Sequence, residues 1–314
     1  MTLPSLGSIP ETTERPVLLT SETTLFGIVT QPAQLETCRG AVILVNAGAD
    51  YHIGASGMYV TLARRWARSG FVVLRMDMGG IGDSGTRPGR PDDEVFPPGA
   101  LDDIRAAAEW IRAQYGHLDI TLGGLCSGAY HTLQAAIAGI PVARAVMVNP
   151  ETFFWNQGMS IYDRQSAELV RQPSAYRGKF MSSAAWKRLI TGQIDLRYVL
   201  GTYAGRLSLS IGARSRNFAR RLHIRLPNDL GWQLEEVGAR GVRLVFVFAR
   251  GEPGIDLLKL HTGTSLERLG ANLRLHIVDH ADHVFSKLES RMLLEKILTD
   301  ELLATSNANR SRKL

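Results

Sequence analysis

Apolar positions along the chain follow two alternating patterns. Short runs rich in β-branched and other apolar residues recur at 41–46, 71–75, 120–123, 145–148, 242–248 and 273–278. Most are apolar at consecutive positions, as expected of strands covered on both faces. Between the first two runs, Tyr59, Leu62, Ala63 and Trp66 recur at the spacing of one helix face, and Gly70 follows as a stop signal. Leu101, Ile104, Ala108 and Ile111 repeat that spacing ahead of Gly116. Strand and helix in alternation predict a mainly parallel α/β sheet with helices on both faces. Residues 15–33 at the front read as a β-hairpin on the sheet edge.

From about Glu151 to Trp232 the alternation breaks into basic, amphipathic stretches with scattered Trp and Tyr. These read as short helices inserted over the sheet. The expected organisation is a core of residues 15–150 and 233–304, a helical cap insertion over 151–232, and a flexible tail over 305–314.

Composition narrows the class. With 314 residues, 45% hydrophobic and 21% charged, the chain suits a well-packed globule rather than a disordered one. Its two cysteines, Cys38 and Cys126, lie in unlike contexts without a CxxC or Cys/His motif, so neither a disulfide framework nor a metal site is expected. The N-terminus has no secretory pattern, and no apolar run reaches the roughly 18 residues of a membrane span. A cytoplasmic protein is the expectation. The net charge of +6 is unevenly placed: Arg171 to Arg225 hold twelve basic residues against the single acid Asp195. That imbalance suggests an anionic partner at the cap, in competition with a plain solubility role for the arginines. Nucleic acid is not expected, since no recognition motif accompanies the charge.

The chemistry concentrates at Gly124-Leu125-Cys126-Ser127-Gly128, where a predicted strand turns directly into a predicted helix. Glycines on both sides of the central residue permit a turn too tight for neighbouring Cβ atoms, which lifts Cys126 above the sheet at a helix N-terminus. There the helix dipole favours a thiolate. The N–H of Ser127 is placed to stabilise an oxyanion, and Gly48, in the small-residue loop after the first core strand, is the expected second donor. Ser127 as nucleophile is the rival reading, but Leu125 is too large for the small position that frame requires.

A base and an acid should follow in that order along the chain: nucleophile, acid, histidine. Glu252 lies a few residues beyond the strand at 242–248 and is the expected acid, with Asp256 as the alternative. His283, on the loop after the last strand, is the expected base, with His280 as its rival. Gly80, Gly82 and Gly85 match a dinucleotide-binding spacing, yet the proline-rich stretch after them cannot open the required helix, so no cofactor is expected. Asp77 and Ser84 in that segment read as turn-stabilising residues.

Together, "NAGAD", "DMGGIGDSG", "GLCSGA", "GEPGID" and "DHADHVF" resemble the α/β-hydrolase superfamily over roughly residues 20–150 and 240–300. They look most like the hydrolases of exopolysaccharide (exosortase-associated) and natural-product gene clusters. The resemblance implies an α/β-hydrolase fold and acyl chemistry on an ester or thioester. Most members carry serine as nucleophile, so Cys126 is a departure shared with dienelactone-type hydrolases, thioesterase-like acyltransferases and cyclases. The expected function is an acyl hydrolase with a Cys-His-acid triad. An acyltransferase or cyclase, or a non-catalytic ligand binder, remains open. Expected partners are a small or carrier-bound acyl substrate, with an acyl carrier protein or coenzyme A thioester as the anionic candidate.

Overall fold

The computed structural model describes residues 12–156, 215, 216, 218–220, 222 and 224–312. Eight strands form one sheet in the order β1-β2-β4-β3-β5-β6-β7-β8. The front hairpin, β1 (Thr12–Thr20) and β2 (Thr24–Pro32), is antiparallel and joins β4 (Phe71–Met76) antiparallel. The remaining neighbours pair in parallel: β3 (Gly40–Val45), β5 (Ile120–Leu125), β6 (Arg144–Val148), β7 (Arg243–Ala249) and β8 (Leu273–Val278). This is an α/β-hydrolase fold. The strand order reverses at β3, whose neighbours are β4 and β5, and ligands of such sheets gather beyond the strand ends at that crevice.

Every residue of β3, β4 and β5 is buried, so both faces of the central sheet are covered. On one face α1 (Met58–Arg68) and α7 (Leu288–Arg312) close the core, packing Leu62, Trp66, Leu294 and Leu298 onto Val42, Leu44 and Val146. The predicted helix face of α1 is therefore the buried one. Two further helices, α2 (Ala100–Tyr115) and α3 (Ser127–Ile137), pack on each other, and α3 also packs on β5 and β6. The backbone of α7 continues to Arg312, through positions that the polar sequence suggested would fray. Each residue added to an existing helix gains a backbone hydrogen bond, which explains how a polar end extends it.

The chain divides into two compact units. The first runs to Glu151 and resumes over Val237–Arg250 and from Ala271, and it contains the whole sheet. The second comprises Thr152–Glu236 and Gly251–Gly270, and includes α5 (Pro253–Thr262) and α6 (Ser265–Leu269). Helix α4 (Leu230–Ala239) runs from the second into the first. Most of the expected cap insertion, with Arg214 and Arg221, lies outside the described residues.

Within the second unit, Arg220 corrects the picture of an exposed basic surface. Its guanidinium is buried, donates from Nε to both carboxylate oxygens of Asp229 at 2.9 Å, and also reaches the carbonyls of His261 and Thr262. A buried guanidinium bonded in this way is a structural tie rather than a source of field in solvent. Burial, reinforced by the charges of Arg216 and Arg220, lowers the His261 pKa to about 4.

Candidate active site

The turn between β5 and α3 is as tight as its glycines suggest. Cys126 sits at φ 57°, ψ −116°, a conformation disfavoured for a side-chain-bearing residue. A Cβ on Gly124 would lie 2.4 Å from the Gly128 carbonyl carbon, and one on Gly128 would lie 2.7 Å from the Asn46 carbonyl oxygen. Neither site admits any other residue without moving backbone. Tyr59, identified in the sequence only as a core position, braces the turn from below. Its hydroxyl donates to the Val45 carbonyl and accepts the Leu125 N–H, each at 3.1 Å. Burial raises the Tyr59 pKa, so the phenol keeps the proton it donates.

The loops after β6 and β8 bring the other groups. Asn149, directly past β6, is fully buried at φ 45°. Its Oδ1 accepts the Ala249 N–H at 2.8 Å, and its Nδ2 donates to the His283 carbonyl at 2.6 Å. Two residues later Glu151 emerges, half-exposed at its side chain. Cys126 Sγ donates to Glu151 Oε2 at 3.8 Å, and Glu151 Oε1 lies 3.9 Å from His283 Nε2. The Cys126 sulfur, a His283 ring nitrogen and a Glu151 oxygen lie within 4.8 Å of one another. Cys126 and His283, far apart in sequence, are thus neighbours.

Glu151 went unnoticed in the sequence, where it marked the start of the insertion. The signal was Asn149-Pro150, a strand stop that puts the next side chain on a loop above the sheet. The two acids expected from the sequence stand on α5 in the second unit: Glu252 is its N-cap, followed by Pro253 at the first helical position, and Asp256 lies in the first turn. His280, the rival base, is exposed at φ 56° in the turn before His283.

The expected oxyanion donors are differently engaged. Ser127 opens α3, and the first N–H of a helix has no acceptor within it, which suits a donor role. The Gly48 N–H, however, donates to Ser127 Oγ at 2.7 Å. In this structure the hydroxyl stands where Gly48 was expected to meet an oxyanion. The reason is steric: the elbow brings α3 against the β3 loop so closely that the first side chain of the helix reaches that N–H.

Asp77 and Ser84 serve the fold. The buried Asp77 carboxylate accepts the backbone N–H of His52 and, at 3.1 Å, that of Asp83, and it lies 2.9 Å from His52 Nδ1. Ser84 Oγ accepts the Phe26 N–H and donates to the Asp77 carbonyl, each at 2.8 Å. The glycines of this segment line a turn, and the next helix is α2, as the prolines required. His131, one turn into α3, is buried with Nε2 2.9 Å from the Val95 carbonyl, and burial lowers its pKa to about 4. Among the described residues no helix is long and apolar enough to cross a membrane.

Residues 40–189 match the family model of the alpha/beta hydrolase fold. Solved structures agree at the level of fold. An esterase of Pyrococcus furiosus aligns over 93% of this chain and 91% of its own, at 14% identity and a TM-score of 0.56. A dienelactone hydrolase from Anabaena variabilis covers 93% and 97%, at 11% identity and a TM-score of 0.51. A serine hydrolase homologue from Coxiella burnetii covers 92% and 97%, at 15% identity and a TM-score of 0.50. No curated protein matches the chain in sequence.

Proposed function

We propose that this chain of alpha/beta hydrolase fold is an acyl hydrolase that forms a covalent intermediate on Cys126 and acts on an ester or thioester. The observation that carries this reading is the strained cysteine at the N-terminus of α3, with His283 and Glu151 within 4.8 Å of it and of each other. A buried structural cysteine needs neither the strained turn nor the imidazole.

His283 takes the Cys126 thiol proton as the sulfur attacks the substrate carbonyl. A C–S bond forms, and the carbonyl π pair moves onto oxygen, where the Ser127 N–H stabilises it. Collapse expels the alcohol or thiol, which takes the proton back from the imidazolium. Water then adds to the acyl-enzyme with His283 as base, and breaking the C–S bond releases the carboxylic acid and regenerates the thiol. Glu151 offsets the imidazolium charge during both halves. Glu252 and Asp256 compete with it for the acid role.

The test is intact-mass spectrometry after mixing with p-nitrophenyl acetate and with acetyl-coenzyme A. A single +acetyl adduct should form, vanish in Cys126→Ala, and decay with release of acetate. An adduct surviving in Cys126→Ala would overturn the assignment. An adduct that decays only when an alcohol or amine is added would make the protein a transferase, and no adduct with any acyl donor would make it a binder.

A further inference from the structure

Cys126, Glu151 and His283 have no sequence spacing that suggests a metal. The fold nevertheless turns a sulfur, an imidazole and a carboxylate toward one point, from the loops after β5, β6 and β8. Here Glu151 is beside both the sulfur, at 3.8 Å, and His283 Nε2, at 3.9 Å. One carboxylate thus faces both the sulfur and the imidazole.

We propose that these three side chains form a zinc site, and that zinc bound there occupies the nucleophile and silences it. Around a tetrahedral zinc with ordinary bond lengths, a sulfur and an oxygen stand about 3.5 Å apart, and a nitrogen and an oxygen about 3.3 Å. One donor atom from each residue lies within 4.8 Å of the other two, so the three have to draw together to share an ion. Glu151 is half-exposed and His283 partly so, which leaves both side chains room to close the difference by small torsions. Three protein ligands leave a fourth position for water. The donor set also selects the ion: a thiolate with an imidazole favours zinc over magnesium or calcium, which require oxygen ligands. Binding is a substitution in which the S–H bond breaks, its proton passes to solvent, and a Zn–S bond forms. Alkylation and acylation of Cys126 then both lack a free thiolate.

The second histidine–carboxylate cluster, His52 with Asp77 and Asp83, is a contrast. Its central carboxylate is buried and already accepts two backbone N–H groups.

The silencing rests on the proposed acyl chemistry, whereas zinc binding does not, and the test separates them. Cys38→Ser protein, reduced and stripped with EDTA, is titrated with zinc chloride against a chromogenic chelator. In parallel, iodoacetamide labelling of Cys126 is followed by intact mass with and without zinc. One zinc per chain should bind and slow labelling by about tenfold or more. Affinity should fall by at least about tenfold in Glu151→Gln, the scale on which metal sites respond to loss even of outer-shell partners. Glu151 sits on the surface, so this variant should keep the fold. Asp83→Ala should bind as the parent does. No binding, binding indifferent to Glu151→Gln, or binding lost in Asp83→Ala would overturn the site. Zinc that accelerates ester turnover would overturn the silencing. Acylation in EDTA without zinc binding would sink this proposal and leave the acyl hydrolase standing, and zinc binding without acylation would do the reverse.

Discussion

The Asn149 side chain holds the backbone of His283: its Nδ2 donates to the His283 carbonyl at 2.6 Å, while its Oδ1 accepts the Ala249 N–H at 2.8 Å. One buried amide therefore ties the loop after β8 to the ends of β6 and β7. The two roles are separable because an amide has distinct donor and acceptor ends.

Asn149→Asp keeps the acceptor for Ala249 and sets a carboxylate against the His283 carbonyl. Its kcat should fall by about tenfold or more with little change in KM, as expected when a catalytic group is misplaced. Asn149→Ala removes both bonds and should lower stability by about 2–4 kcal/mol, from two buried groups left unpaired. Denaturant unfolding and steady-state kinetics with a p-nitrophenyl ester measure both. Wild-type kcat in Asn149→Asp would show that the clamp does not position His283.

The acid role is decided by three variants. Glu151 is the carboxylate beside the Cys126–His283 pair, so Glu151→Gln should reduce kcat/KM by more than about tenfold, in keeping with loss of a charge that stabilises an imidazolium. Glu252→Gln and Asp256→Asn should cost less. A larger loss in Glu252→Gln, measured as kcat/KM with the fold intact by circular dichroism, would return the role to the N-cap of α5.

Ser127→Ala tests the oxyanion donors. Its hydroxyl occupies the Gly48 N–H at 2.7 Å, a bond that an incoming oxyanion has to displace. Removing a net contribution of about 1 kcal/mol should raise kcat/KM by about fivefold if Gly48 is the second donor. A fall of similar size would instead make the Ser127 hydroxyl the donor.

His131 gives the protein a pH dependence away from the candidate site. Its folded pKa, about 4, lies below the ordinary 6.5, so the unfolded chain binds the proton more tightly. Its neutral form is compatible with full stability above about pH 6.5, and stability is lost as the pH falls from there toward 4, by about 1.4 kcal/mol per unit. Between pH 7 and pH 5 this amounts to about 2 kcal/mol. His261 titrates in the same window, so the contribution of His131 is isolated by difference. In urea melts at the two pH values, His131→Gln should lose about 2 kcal/mol less than the parent. Equal losses would mean that His131 is protonated in the fold without penalty.

The basic span predicts a salt response. If it draws an anionic thioester, kcat/KM for acetyl-coenzyme A should drop steeply with salt, while that for a neutral ester holds. Charge reversal at Arg214 and Arg221 should flatten the response, and Arg220 is left intact because it is the buried partner of Asp229. Matching salt dependence for both substrates would reduce the span to a solubility feature.

The layered sheet and the sharp turn at Cys126 were legible in the amino-acid order alone. Both rest on local rules: apolar runs demand burial on two faces, and only glycine fits at positions 124 and 128, where a Cβ would strike backbone. Chain order also pointed to His283. Which side chains meet emerged only once the chain was folded. Glu151 looked like the start of an insertion, Gly48 like an open donor and Arg220 like one surface cation among many, and nothing in the sequence singled out Asn149. Each took its meaning from a partner distant in sequence: Cys126 and His283, Ser127, His261 with Thr262, and Ala249 with His283. Periodicity reports which way a residue faces on its own strand or helix. The direction of a loop side chain is set by the neighbouring strand ends, which the parallel sheet draws from remote parts of the chain.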